Sequence, residues 1–222
     1  AWSPDGRRIV FGIETTPLRE SDIWMMNADG GKQVNLTKSP GFDGRPALSP
    51  DGTRIAFASN RGAGFLFNFD IWVMNADSSH PRRLTDYAEY DSDPAWSPDG
   101  KRIAFTRAAP EKKFDILVVN ADGTNLVNLT NTAQFSETVP AWSPDGRRIA
   151  FASNRGSQNG NYNIWVMDAD GANPRMVTTP AGHSTEPAWT PDSRRLVFQS
   201  TRDFNPEIYI ADVEGGTNLT PR

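Results

Sequence analysis

One hexapeptide pattern recurs five times along the chain, and this repetition constrains the fold more than any single residue does. Variants of Ala-Trp-Ser-Pro-Asp-Gly start at positions 1, 47, 95, 141 and 188, so successive copies lie 46, 48, 46 and 47 residues apart. A fixed period of this size is typical of repeat architectures, in which each copy buries its faces against its neighbours. We therefore predict a single domain over residues 1–222, with repeats at approximately 1–46, 47–94, 95–140, 141–187 and 188–222.

Each repeat has the pattern of four antiparallel strands. In the third copy the predicted strands are residues 95–96, 101–106, 115–120 and 127–130, separated by Ser-Pro-Asp-Gly, a variable loop and Asn-Ala-Asp-Gly. The third strand is apolar at both alternation positions, so both of its faces must be covered by neighbouring sheets. Four-stranded meanders of about 47 residues that pack in this way indicate an all-β fold, the β-propeller. We favour a closed ring of five blades, and a six-bladed propeller lacking one blade is the alternative.

Composition narrows the classes of partner. The net charge is −4 and charged residues make up 23% of the chain, which disfavours a nucleic-acid-binding surface. The absence of cysteine excludes disulfides, thiolate metal sites and cysteine nucleophiles. We find no apolar run long enough to cross a bilayer and no signal peptide in this sequence. The expectation is a monomer that does not insert into membranes. The chain reads as a trimmed or processed piece, so any targeting segment could have been removed.

The repeated motif, Trp-Ser-Pro-Asp-Gly followed by Arg-Arg-Ile-Ala-Phe and Asp-Ile-Trp-Val-Met-Asn-Ala-Asp-Gly, resembles the TolB-type propeller repeats, which are relatives of the WD-repeat blades. The resemblance covers essentially the whole chain. It implies a bacterial or archaeal protein in a periplasmic or secreted location. Similar repeats form the protein-binding body of TolB and the gating propellers of prolyl-oligopeptidase-like and tricorn-like peptidases. TolB itself has six blades and an additional α/β domain, whereas this chain shows five motifs and no helical periodicity.

No motif in the sequence points to catalysis. The chain has two histidines, His80 and His183, too few for a three-histidine metal centre, and no Gly-x-Ser-x-Gly nucleophile motif. We therefore predict a non-catalytic binding scaffold that engages a protein or peptide through its variable loops and the mouth of its central channel. The alternatives are a glycan-active propeller enzyme, the accessory propeller of a hydrolase, and a trimmed or engineered fragment without an independent function.

The connections between repeats differ in length and chemistry, which makes them the predicted binding surface. They carry five acidic residues within three positions of a proline: Asp43, Asp91, Asp93, Glu137 and Glu186. Five-fold packing is expected to bring these carboxylates around the channel mouth. They would then receive basic groups or a hard cation such as Ca²⁺, although no dedicated calcium loop supports a metal cofactor. The competing interpretation is that each acid binds the backbone of its own loop.

A second set consists of arginines that follow the second strand of four repeats. Arg61, Arg107, Arg155 and Arg202 are predicted to pair with the residue that opens the third strand, which is Asp70, Asp115 or Glu207 in three of these repeats. In the fourth repeat that residue is Asn163, so we expect Arg155 to be free for a ligand.

Loop aromatics complete the predicted site, because exposed aromatic side chains anchor protein partners. Phe65 and Phe67 belong to an insertion peculiar to the second repeat, and Tyr87 and Tyr90 lie in a neighbouring loop. The alternative is that these rings fold over the edge of a blade as a lid.

Two expectations test the register of the repeats. Trp96 and Trp142 are predicted to lie between blades. Gly100 is expected to need a positive φ, whereas substitution of Gly160, in a variable loop, is expected to be nearly silent.

Overall fold

The computed structural model describes residues 1–14, 20–62, 68–88, 90–109, 113–179 and 181–215, together with the backbone of 220–221. Over these residues the regular structure consists of β-strands in five antiparallel sheets, and no helix is present among them. The predicted all-β class and the blade-like sheets are therefore confirmed.

The strands follow the repeat in order. Blade one contains β1 (Arg8–Glu14), β2 (Ser21–Asn27) and β3 (Val34–Asn35), and Trp2 forms an isolated bridge to Ile9. Blade two contains β4 (Asp43–Leu48), β5 (Arg54–Ser59), β6 (Asp70–Asn75) and β7 (Arg82–Arg83). Blade three contains β8 (Asp91–Trp96), β9 (Arg102–Ala109), β10 (Lys113–Asn120) and β11 (Val127–Asn128). Blade four contains β12 (Glu137–Trp142), β13 (Arg148–Ser153), β14 (Asn163–Asp168) and β15 (Arg175–Met176). Blade five contains β16 (Ser184–Trp189), β17 (Arg195–Ser200), β18 (Glu207–Asp212) and β19 (Thr220–Pro221).

The first strand of blades two to five is longer than the sequence predicts. In blade three it begins at Asp91, not at Ala95, and Pro94 lies inside it. The pairing register shifts between Ser92 and Ala95, which marks a β-bulge at this point. Proline and a bulge both interrupt the alternation that identifies a strand from sequence, so its first half resembles a loop.

Two compact units are described separately: residues 1–107 with 119–126, and residues 108–118 with 127–222. In the first unit, Val10, Ile23, Ile55, Phe57 and Met74 form a buried cluster. In the second, the cluster is built around Ile164, Val166, Leu196, Phe198 and Tyr209. Second strands are buried on both faces, as Ile55 to Ala58 show, and the third strand of blade two is buried at Ile71, Val73 and Met74. The predicted coverage of both faces is thus confirmed in that blade.

The Ser-Pro-Asp-Gly turns are held by one local set of hydrogen bonds. In blade three, Ser97 Oγ donates to Asp99 Oδ1 at 2.6 Å, and the backbone N–H of Lys101 donates to the same oxygen at 3.1 Å. Gly100 closes the turn with a φ of +67°. Gly160 has a φ of +71°, in the left-handed region that side chains rarely adopt. This argues against the prediction that its substitution is silent.

Candidate functional site

Three of the predicted acids open the first strand of their blades and are buried. Asp43, Asp91 and Glu137 each lie opposite the end of the second strand, in register with Ser59, Arg107 and Ser153 respectively. None of the three is more than 1% exposed. The three acids are thus buried first-strand residues and do not lie in a loop.

Each of these carboxylates pairs with an arginine of its own blade. Arg107 binds Asp91 through two hydrogen bonds of 2.7 Å, from Nε to Oδ1 and from Nη2 to Oδ2. The Nη2 of Arg61 lies 2.6 Å from Asp43 Oδ2, and that of Arg155 lies 3.3 Å from Glu137 Oε1. These pairs neutralise buried charge within the blade, in the geometry that arginine and carboxylate groups favour.

The predictions that Arg155 is free and that Arg61 and Arg107 pair with the third strand are therefore wrong, and Arg107 pairs with Asp91 instead of Asp115. Arg155 is not free, because it pairs with Glu137 across the first two strands. Arg61 does not pair with Asp70, which instead binds Arg83 and accepts a hydrogen bond of 3.0 Å from the backbone N–H of Tyr87. The sequence predicts that these arginines pair with residues of the third strand, whereas their side chains contact acids of the first strand.

The residue that opens the third strand holds the end of the blade instead. In blade one, Asp22 accepts hydrogen bonds from Asn35 Nδ2 at 2.8 Å and from Thr37 Oγ1 at 3.0 Å. In blade three, Asp115 makes the same two bonds, to Asn128 and Thr130, at 3.0 and 3.1 Å. Both blades have the sequence Asn-Leu-Thr here, at residues 35–37 and 128–130, and these triplets therefore stabilise the sheet.

Blade five departs from this arrangement, because Ser184 replaces the buried carboxylate. Ser184 Oγ bonds Ser200 Oγ at 3.0 Å, and Arg202 Nε donates to Ser200 Oγ at 3.2 Å. The Nη2 of Arg202 is buried and makes no hydrogen bond with the described residues. Burial lowers the pKa of this guanidinium, while Tyr209 and Asp203 act in the opposite direction. Of the four arginines that follow the second strand, Arg202 and not Arg155 is the one without a carboxylate partner among the described residues. Ser184 is the sequence signal that could have shown it.

A second feature is the residue directly before proline in each first strand. Arg45, Asp93, Val139 and Glu186 have φ values of +52°, +52°, +53° and +56°, and the register shift of each sheet falls at the same place. Left-handed backbone at residues other than glycine is costly and persists where the surrounding structure fixes it. A bulge of this kind re-aims a side chain. The backbone is thus the same in four blades while the side chain differs in each.

The bulge residues are accessible to different degrees. The side chain of Arg45 is 57% exposed, and its Nε lies 3.5 Å from Asp93 Oδ1 in the next blade. Asp93 is 15% exposed, and burial raises the pKa of its carboxyl, which Arg45 opposes. Glu186 is exposed in blade five. Burial likewise raises the pKa of the Asp91 and Glu137 carboxyls, against the effect of their arginines. Of the five acids, Asp93 and Glu186 are the ones whose side chains reach the surface.

The predicted aromatic anchors are largely packed. Tyr87 lies under Arg107, whose guanidinium carbon is 4.3 Å from the ring centroid. Tyr90 packs edge-on against Phe69 with centroids 5.4 Å apart, and Phe69 in turn against Phe42 at 5.2 Å. Both tyrosines are half-buried, so the alternative in which they cover the blade edge describes them better. Phe65 and Phe67 lie outside the described residues.

The described residues contain no group of three or more His, Cys, Asp or Glu side chains arranged to hold a metal ion. Four of the five carboxylates that were predicted to gather around a cation face an arginine: Asp43, Asp91, Asp93 and Glu137. The calcium hypothesis stays a prediction. No helix suited to crossing a membrane is found among the same residues.

Comparisons with known proteins agree with the blade geometry. The family model of the TolB beta propeller domain matches residues 1–137 and 132–220. A protein assigned as TolB from Agrobacterium tumefaciens superposes with a TM-score of 0.81 at 25% identity, over 99% of this chain and 78% of that one. TolB from Acinetobacter baumannii superposes with a TM-score of 0.79 at 20% identity, over 97% of this chain and 53% of that one.

One similarity concerns a peptidase. Dipeptidyl-peptidase 5 of Porphyromonas gingivalis is 34% identical over 72 residues, which are 29% of this chain and 10% of that relative. The similar segment is thus a small part of a much longer protein.

Proposed function

We propose, from the premise that the chain belongs to the TolB β-propeller domain family, that it is a non-catalytic scaffold that binds a protein or peptide at the first-strand ends of its blades. The resemblance to TolB proteins supports a periplasmic or secreted location for such a scaffold. Folds host many functions, so the proposal depends on the surface residues and not on the fold.

The observation that carries the proposal is the repeated bulge. One strained backbone shape presents Arg45, Asp93, Val139 and Glu186 in four blades, so the scaffold holds each position rigidly while its chemistry varies. Preorganised side chains of differing charge favour selective recognition, because little conformational entropy is lost when a partner binds. The buried pairs behind them, such as Arg107 with Asp91, fix the strand ends from within.

The test is capture and then direct binding. The immobilised chain is exposed to a bacterial envelope extract, the retained protein is identified, and its purified form is titrated against the chain by calorimetry. A variant with Asp93→Ala and Glu186→Ala is compared with a control carrying Asp77→Ala and Asp170→Ala, which removes the same charge from the Asn-Ala-Asp and Asp-Ala-Asp turns. We expect the first variant to bind at least about tenfold more weakly and the control to bind like the parent. Capture of no protein, or equal loss in both variants, would refute the proposal.

A second candidate is the accessory propeller of a peptidase, which the similarity to dipeptidyl-peptidase 5 favours. In this case the same experiment would retain a hydrolase domain, and the purified hydrolase would change its preference for substrate length when the chain is added. A captured protein without hydrolase activity would favour the binding scaffold over the accessory propeller of a peptidase.

A further inference from the structure

A cleft between blades two and three lies at the opposite ends of the strands from the bulges. It has a volume of about 460 Å³ and is lined by Arg54, Arg82, Lys101, Asn120, Ala121 and Asp122. Three of these side chains are cationic and one is anionic. Arg54 begins the second strand of blade two, whereas Asp43 pairs with Ser59 at the end of that strand, which separates this cleft from the proposed partner site.

The two arginines are held in place by backbone carbonyl groups of blade three. Arg54 Nη2 donates to Gly100 O at 3.0 Å, and its guanidinium carbon lies 4.6 Å from the centroid of the Trp96 ring. Arg82 donates to the carbonyl oxygens of Ala121 and Asp122. Both guanidinium groups are therefore positioned in advance of any ligand.

Among the described residues, these cations form no ion pair with a carboxylate in the cleft. Among the described residues, no carboxylate oxygen lies within 4.0 Å of the charged nitrogens of Arg54, Arg82 or Lys101. The carboxylate of Asp122 is turned back onto Thr124, from which it accepts hydrogen bonds of 2.9 Å from the backbone N–H and 2.6 Å from the hydroxyl.

The same arrangement recurs in blades four and five, and there a carboxylate occupies it. Arg148 stacks on Trp189 at 4.9 Å and donates to Ser193 O at 2.7 Å, as Arg54 does on Trp96 and to Gly100. Arg175 donates to Val213 O at 2.5 Å. Glu214 Oε1 lies 2.9 Å from Arg148 Nη1 and 3.4 Å from Arg175 Nη2, so one carboxylate oxygen is shared by both arginines.

The two clefts differ in several side chains, and one of these differences is the length of the acidic residue, Asp122 in one and Glu214 in the other. Glu214 and Asp122 occupy the same place in the repeat, two residues after the third strand. The shorter Asp122 binds its own turn, whereas the longer Glu214 reaches the arginines. Blades one and three carry Val34 and Val127 where blades two and four carry Arg82 and Arg175, so among these four blades only the second and fourth supply the arginine pair.

We propose that the cleft between blades two and three binds a carboxylate side chain from an acidic segment of another polypeptide. The incoming group takes the place that Glu214 fills in the neighbouring copy, between Arg54 and Arg82, and Lys101 adds attraction at the rim. A carboxylate suits the site because the chain already uses one in the same geometry, and arginine pairs recognise such groups through directed hydrogen bonds. This site is independent of the proposed partner surface at the bulges.

The probe is a fluorescently labelled hexaglutamate peptide, titrated by fluorescence polarisation at low ionic strength against the full chain, with hexaglutamine as the uncharged control. We expect Arg82→Gln and Lys101→Gln each to weaken binding, the former about tenfold, because a charge-assisted hydrogen bond is lost. Arg175→Gln is the matched control and is expected to bind like the parent, since its cleft is filled by Glu214. Added salt is expected to weaken binding as screening increases.

Two further variants change which cleft is filled by an internal carboxylate. Asp122→Glu is expected to fill the site from within and abolish peptide binding, and Glu214→Ala is expected to create a second binding site. Thermal unfolding confirms that each variant is folded, and Lys101→Gln remains informative if Arg82→Gln is not. Binding that is equal in Arg82→Gln and Arg175→Gln, or no binding to the parent, would overturn the proposal. Inorganic phosphate that binds at Arg82 and is not displaced by hexaglutamate would do so as well, because it would show a small-anion site.

Discussion

Trp96 offers the sharpest test of how one blade is fastened to the next. Its ring is 8% exposed, its Nε1 donates to Ala47 O of the preceding blade at 3.1 Å, and Arg54 stacks on it at 4.6 Å. Trp2 occupies the same position in the first repeat but is 60% exposed. The prediction that Trp96 lies between blades is confirmed. Because Trp96 and Trp2 share a position in the repeat but differ in exposure, a comparison of their variants isolates the effect of burial.

The expected cost of Trp96→Ala follows from these contacts. Truncation of a buried tryptophan removes about 3–5 kcal/mol of unfolding free energy, which includes the lost ring contacts and the cavity that remains. In a chain of this size each kilocalorie lowers the melting temperature by about 2–4 °C, so the shift should be roughly 6–20 °C. Trp96→Phe keeps a ring beneath Arg54 and loses the hydrogen bond, so about 1–2 kcal/mol is expected. Trp2→Ala should change stability by less than about 0.5 kcal/mol.

Calorimetry and far-ultraviolet circular dichroism are the suitable assays, because removal of a tryptophan would alter the fluorescence signal itself. Repeat proteins can unfold in parts, so the two methods should be compared for coincident transitions. The reasoning fails if Trp96→Ala and Trp2→Ala melt alike. It also fails if Trp96→Phe is as unstable as Trp96→Ala, since the ring contacts would then contribute nothing.

Three further outcomes are expected. Ser184→Asp should raise the unfolding free energy by about 1 kcal/mol in urea titrations, because the new carboxylate meets the unpaired Arg202; a lower stability than Ser184→Asn would contradict this. Hydrogen bonds from Ser49 and Thr53 lower the pKa of Asp51 from 3.8 to about 2, so the stability that its carboxylate contributes is present above pH 3.8 and is lost as the pH falls towards 2. Urea titrations over this range should show that the parent loses its stability advantage over Asp51→Asn. An advantage that persists at pH 2 would exclude these hydrogen bonds to the ionised carboxylate as its cause. Gly160→Val should lower the melting temperature much as Gly100→Val does, by the equivalent of about 1–2 kcal/mol, and a silent Gly160→Val would show that its loop does not hold a positive φ in solution.

Much of the fold could be predicted from the sequence because its signals are local. The turn at Ser97 to Gly100 depends on a serine, an aspartate and a glycine within four residues, and the strand at Ile103 and Phe105 depends on simple alternation. The start of the first strand could not be predicted in the same way. A residue with positive φ directly before a proline, as at Asp93, is the opposite of a strand signal, and tertiary pairing with the second strand outweighs it.

The partners of the arginines could not be predicted because they depend on which neighbouring strand the side chain reaches. Arg61 and Arg155 follow the second strand, and the first and third strands flank it on either side. Both flanking strands begin with an acid in blade two, Asp43 and Asp70, so residue type alone does not choose between them. Burial and register do not choose either, because both acids are buried and both lie opposite Ser59. The difference is that Asp70 is already bound by Arg83, whereas Asp43 is bound by Arg61.

The exceptions within the repeat carry more functional information than the repeat itself. The recurring residues explain stability, since each serves the same contact in every blade that has it. Ser184 is informative because blades two to four place an acid there, and its presence leaves Arg202 Nη2 without a partner among the described residues. Asp122 is informative because it binds its own turn, whereas the longer Glu214 reaches two arginines. Arg54 and Arg82 are thereby left without an ion pair among the described residues. In both places the scaffold keeps a cation where its sister copy supplies the anion, which is the arrangement expected where a partner supplies it.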